Sequence, residues 1–228
     1  LGLGMVMLIR PINIMVVLAL PFIAGSPSKL WEGIRFLFTR PVPLLSGMFV
    51  FLAIGSIQLI IYKLQTGKFF VYSYQGEGFN FLQPHFFDFL ISYKKGFFVY
   101  TPMSFLALLG IPFIFKENKF RAISLVVFYI IVVYVLSSWY MWYYGGGFSQ
   151  RPMVEYLVFF MVPLAVLLEK VKFRKLTKGI VVALIVVCVI QTIQYRSGYI
   201  HWSDMNKERY WNAFLRIDKV INKAEKEW

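Results

Sequence analysis

The sequence holds a single cysteine, Cys188, so no disulfide can form within the chain, and its place inside an apolar run reads as a small buried residue. It holds two histidines, His85 and His201, far apart and without Cys or His companions at zinc-binding spacing. The sequence therefore gives no support for a metal site built from His and Cys. Charge is also scarce: 15% of the residues are Asp, Glu, Lys or Arg, against about 25% in an average soluble domain. No basic region precedes the opening apolar run Leu1–Ile9, as a signal peptide would require. A chain that starts at Leu1, inside such a run, is expected to be the rear part of a longer protein.

What is present in excess is apolar surface, with 59% hydrophobic and 19% aromatic residues and a mean hydropathy of +0.65. The excess is blocked. FRAISLVVFYIIVVYVLSSWY, Phe120 to Tyr140, has one charge at its start, and GIVVALIVVCVIQTIQY, Gly179 to Tyr195, has none. About 20 apolar residues carry a helix across a ~30 Å hydrocarbon core. The expectation is an all-α, polytopic integral membrane protein of about six transmembrane helices.

Spans are expected at 43–62, 102–115, 120–139, 153–168 and 179–195. The opening stretch to Gly25 is broken by Arg10-Pro11, which predicts two short helical arms meeting at Arg10 or one kinked span. The stretch SPSKLWEGIRFLFTRP is amphipathic and suits the membrane surface. Residues 63–101 form a long aromatic loop, too apolar for a disordered linker, with an interfacial helix near Pro84–Tyr93. The division is thus a transmembrane domain over 1–195 and an amphipathic tail over 196–228. In the tail, Tyr210, Phe214, Ile217, Ile221 and Ala224 recur at helical spacing, and Ser203 or Asp204 could cap the start. That helix, over 203–226, would pack on its own protein or on lipid headgroups, or dock a protein partner.

Lys and Arg counts set the sidedness. The short connectors near 26–42, 116–121 and 169–178 carry 11, the long loop carries four, and the 140–152 connector carries only Arg151. The dense connectors are expected to be cytoplasmic; the aromatic loop, the 140–152 connector and the tail then share the other face. The net charge of +13 is mostly this topology signal plus the tail, and does not point to nucleic acid.

Three polar clusters fall on that non-cytoplasmic face. Arg10, beside Pro11 and Asn13, either faces water, a partner or a ligand, or marks the aqueous end of two arms and snorkels. In the long loop, GEGF sets Glu77 between two glycines, with Gln75, His85, Asp88, Lys94 and Lys95 nearby as interfacial decoration or as ligand contacts. The third cluster is WYYGGGFSQRP, residues 142–152. Its glycines permit close backbone approach, and Gln150 and Arg151 precede Glu155 by about one helical turn. Arg151 suits bidentate phosphate recognition, with Glu155 as its tether; alternatively the two only pair with each other. A phosphate-bearing lipid accounts for all three clusters together.

The LIRPIN element after a GLGM helix, YSYQGEGFNFLQPHFFDFLISYKKGFFVYTP and WYYGGGFSQRPMVEY together resemble bacterial GT-C membrane glycosyltransferases. These are the glycosyltransferase family 39-like relatives of protein O-mannosyltransferases and the lipid A aminoarabinose transferase. The resemblance covers most of residues 1–200. It implies transfer of a sugar from a polyprenyl-phosphate donor to an acceptor on the non-cytoplasmic side of a bacterial inner membrane. A divalent metal (Mg or Mn) or basic residues would attend the donor phosphate. By the same resemblance Arg10 and Arg151 match basic positions near that phosphate, and Glu77 and His85 lie in a loop lining the cavity. The family's catalytic carboxylate belongs to an earlier loop than any here, so no catalytic residue is carried over. The rival expectation is a non-catalytic membrane subunit of a secretion or envelope-assembly complex.

Overall fold

The computed structural model describes residues 1–71 and 76–218. The protein is 73% helical, with no strand among the described residues. In chain order the helices are α1 (Gly2–Ile9), α2 (Leu20–Ala24), α3 (Pro27–Thr39), α4 (Pro41–Thr66), α5 (Phe86–Ile91) and α6 (Phe97–Tyr100). They continue with α7 (Pro102–Leu108), α8 (Ile111–Glu117), α9 (Lys119–Ser137), α10 (Leu157–Lys170), α11 (Arg174–Arg196) and α12 (Lys207–Ala213). Two 3₁₀ stretches, Pro11–Ala19 and Arg151–Tyr156, interrupt the series.

Four helical segments are long and apolar enough to cross a membrane: Pro41–Thr66, Lys119–Ser137, Arg151–Lys170 and Arg174–Arg196. They match four of the expected spans. The other two apolar runs are broken into shorter helices. At the front of the chain Arg10 is extended (φ −153°, ψ 115°) between α1 and the first 3₁₀ stretch, so two arms do meet there. Proline explains the break, since it has no N–H to donate and pushes its predecessor out of the helical region. The run 102–115 is divided at Leu109-Gly110. Here a Cβ on Gly110 would collide with the carbonyl of Pro163, inside α10. The helix is interrupted where two backbones need to touch.

Contacts divide the chain into two compact units, Leu1–Gly78 with Asn118–Tyr129, and Phe79–Glu117 with Ile130–Trp228. In the first, α1 lies on α4 at Gly4, where a Cβ would stand 3.1 Å from Ile54 Cδ1. Ser26 caps α3 by accepting from the Lys29 N–H at 3.2 Å. No residue of α3 is buried, and its apolar side chains Trp31 and Phe38 are exposed. Gly25 is left-handed (φ 71°); its carbonyl accepts from Asn118 Nδ2 at 2.7 Å, while Asn118 Oδ1 caps α9 through the Arg121 N–H at 2.9 Å.

The second unit has the denser core, with Phe89, Phe97, Tyr100, Leu136, Tyr156 and Phe160 all buried. The 44% burial of the α10 segment reflects this, against 6% for α4. The tail folds back into this unit. Tyr100, Ile200, Met205, Tyr210 and Ala213 form one buried cluster. Two glutamines of α11 reach it, Gln191 Nε2 donating to the Tyr210 hydroxyl at 2.9 Å and Gln194 Nε2 to the Ala213 carbonyl at 2.5 Å. The tail helix is shorter than its apolar stripe suggests. It starts at an Asn206 cap rather than at Ser203 or Asp204, and it stops before Phe214, with Leu215 left-handed at φ 57°. Burial of Tyr210 and Ala213 against α11 fixes one turn, and the stripe cannot stay on one axis past it. Ile221 and Ala224 lie outside the described residues.

Candidate functional site

The turn between α5 and α6 places two lysines on opposite courses. Ser92 Oγ accepts from the Lys94 N–H at 3.0 Å, and the Gly96 N–H closes the turn onto the Ser92 carbonyl at 2.7 Å. A Cβ at Gly96 would lie 2.5 Å from both the N and the O of Ser92, so only glycine fits. Lys94 extends over the Tyr143 ring, its Nζ 3.7 Å from the centroid. Lys95 is 2% exposed, and its ammonium donates to the carbonyls of Gly145 and Gly147. Burial, then the nearby Arg151 and Lys94 charges, bring its pKa down from 10.5 to about 8.

The GGG segment supplies what Lys95 needs. Tyr144, Gly145 and Ser149 all have positive φ (52°, 58° and 51°), which turns successive carbonyls inward. The Tyr144 hydroxyl holds the segment by donating to the Leu136 carbonyl at 2.7 Å. Gly147 leaves room for the Arg151 stem, whose Cβ and Cδ would be 3.4 Å from a Cβ there. Arg151 opens the 3₁₀ stretch that leads into α10, and its side chain is exposed.

Arg151 and Glu155 are not joined by an ion pair among the described residues, contrary to the expected tether. The 3₁₀ geometry is the reason. At three residues per turn, i and i+3 share a face and i+4 turns away from it. Glu155 is itself engaged within the chain. Gln150 is 2% exposed, and neither atom of its amide finds a hydrogen bond among the described residues. Leaving such a group unsatisfied costs roughly 1–3 kcal/mol.

His85 starts α5. Its Nδ1 lies 3.3 Å from Asp88 Oδ2, and its ring stacks on Trp142 with centroids 5.8 Å apart. A narrow crevice beside Lys95 is lined by Lys94, Lys95, Gly147, Ser149, Tyr195 and His201. The second unit therefore brings Lys95, Gln150, Arg151 and, through Trp142, His85 to the GGG segment. Arg10 and Glu77 belong to the first unit, each engaged within the chain. His201 is the site residue that sequence reasoning passed over, since only metal spacing had been asked of it. Its neighbours come together through the fold, and no sequence spacing announces them.

Among the described residues no three His, Cys, Asp or Glu side chains converge. These residues do not form a metal-binding group of their own, and no step below is routed through a metal. No protein-family model matches the chain, and no curated protein or solved structure is significantly similar to it.

Proposed function

We propose that the chain belongs to a membrane glycosyltransferase that takes a sugar from a polyprenyl-phosphate donor. It would reside in a bacterial inner membrane with its tail on the periplasmic side, the two broken apolar runs completing about six crossings. One observation carries the proposal: Lys95 is buried with its ammonium held by two glycine carbonyls, close enough to Arg151 to feel its charge. Two like charges this close are unfavourable, and a phosphate between them would remove the penalty. Arg151 adds to the argument because it stands at the amino end of a helical segment. That end favours anions and disfavours a cation, by about 0.3–1 kcal/mol.

In this reading the acceptor hydroxyl displaces the lipid phosphate at the anomeric carbon of the sugar. Arg151 and Lys95 stabilise the negative charge that builds on the departing phosphate oxygen. A general base takes the acceptor's proton. The aromatic wall of Trp142, Tyr143 and Tyr144 offers flat faces to the sugar. Glu77 and Arg10 are proposed as further substrate contacts, on the resemblance alone.

Native mass spectrometry of the protein in mild detergent tests the reading. A co-purified polyprenyl-phosphate sugar is expected. Bulk phospholipid alone, or a stoichiometric protein partner, would instead support a non-catalytic subunit of an envelope-assembly complex.

A further inference from the structure

The tail carries a cavity of about 320 Å³ that the lipid-phosphate reading does not use. Small-ligand pockets run from about 300 to 1,000 Å³, so this one has room for a ligand of modest size. Tyr199, His201, Asp204, Arg209 and Asn212 are among the residues that line it. Its base is firm, because the helix that carries Arg209 and Asn212 is tied to α11 through Tyr210 and Ala213.

The polar groups are held in defined roles. His201 Nδ1 accepts the backbone N–H groups of Ser203 and Asp204, both at 3.2 Å, and lies 3.4 Å from Asp204 Oδ2. Arg209 Nη1 donates to the Asp204 carbonyl at 3.0 Å, and among the described residues the rest of the guanidinium fork makes no further side-chain hydrogen bond. Ser203 Oγ holds one oxygen of Asp204 at 3.0 Å. The lining thus alternates donors with a carboxylate acceptor.

That alternation selects a ligand class. A simple anion would be repelled by Asp204, and a simple cation by Arg209. A ring bearing adjacent hydroxyl groups uses both, because each hydroxyl donates and accepts. Tyr199 on the lining, and the half-exposed Trp202 next to His201, add aromatic surface for its apolar face. His201 also lines the crevice that contains Lys94 and Lys95, so the cavity borders the basic cluster.

We infer that this tail cavity binds a saccharide, and, resting on the transferase reading, that the saccharide is the acceptor awaiting glycosylation. The experiment is saturation-transfer NMR on the full chain in detergent micelles, with no polyprenyl lipid added. The probes are free hexoses, N-acetylhexosamines and disaccharides, with inorganic phosphate and acetate as competitors. At least one saccharide is expected to bind, with affinity reduced about five-fold or more by Asp204→Asn and by Arg209→Lys. Arg216→Ala, at an exposed tail residue paired with Asp218, should leave binding unchanged. Melting curves confirm that each variant is folded. The inference is overturned if no saccharide binds at millimolar concentration, if both lining variants bind as the parent does, or if phosphate or acetate displaces the sugar. Because no lipid is present, the result is independent of whether a polyprenyl-phosphate co-purifies, and either idea can fail alone.

Discussion

Arg10 and Arg151 are both followed by proline and both adjoin a 3₁₀ stretch, yet they are electrostatic opposites. Arg10 sits at the carboxyl end of α1, where a helix carries partial negative charge and welcomes a cation. It is half-buried and already engaged within the chain. Arg151 sits at the amino end of the segment that becomes α10, where the same dipole opposes it, and it faces a second cation in Lys95. The same dipeptide is therefore settled in one place and unsettled in the other. The lesson is that the Arg-Pro pair sets only the backbone break; helix polarity and neighbours decide whether the guanidinium needs a ligand.

The largest effect that would separate the two comes from the backbone beneath α10. Gly110→Ala forces a methyl group into the Pro163 carbonyl and should cost about 1–3 kcal/mol or more by overpacking. A lower melting temperature and weaker lipid-phosphate binding are both expected, because the 3₁₀ stretch that opens with Arg151 runs directly into α10. Next in size, Arg151→Ala should weaken polyprenyl-phosphate binding about ten-fold, close to 1.4 kcal/mol. Arg10→Ala should cost about three-fold or less on the same conversion. Equal losses in the same titration would break the comparison.

The pH dependence sharpens it further. Lys95 is protonated below its value of about 8, so affinity for a phosphate should fall as pH rises from 7 to 9. Stability should move the other way. The folded pKa of about 8 lies below the ordinary lysine value of 10.5, so between those values the unfolded chain holds more protons and thermal stability rises with pH. Lys95→Met should remove both slopes, read by lipid titration and by melting. The smallest effect is the coupling between Arg151 and Glu155. A double-mutant cycle should give less than about 0.3 kcal/mol, under the usual value for a helical i,i+4 pair.

The long spans were legible because hydropathy over about 20 residues is a strong local signal. Lys95, Gln150 and Arg151 were legible as polar groups beside glycines and aromatics. The capture of Lys95 by the Gly145 and Gly147 carbonyls was not, since it joins positions some 50 residues apart. The break at Gly110 was hidden for the same reason: PFIF and LLGIPF read as one apolar run until Pro163 comes to lie against it. The Arg151–Glu155 tether failed because spacing was read on an α-helix where the backbone is 3₁₀. The tail stripe was real as far as Phe214, whose ring packs on Tyr210 with centroids 5.5 Å apart, and was interrupted by Leu215.

The notch at Gly110 also sets an order of events during synthesis. α7 and α8 are seven residues each, so each spans only about 10 Å of helix, a third of the hydrocarbon thickness. The carbonyl against which Gly110 nests is made 53 residues later, roughly 3–10 s at the usual rates of translation. Until then these two short helices lack the α10 backbone against which Gly110 packs. The pair therefore reaches its final packing only once the helix bearing Pro163 has been made.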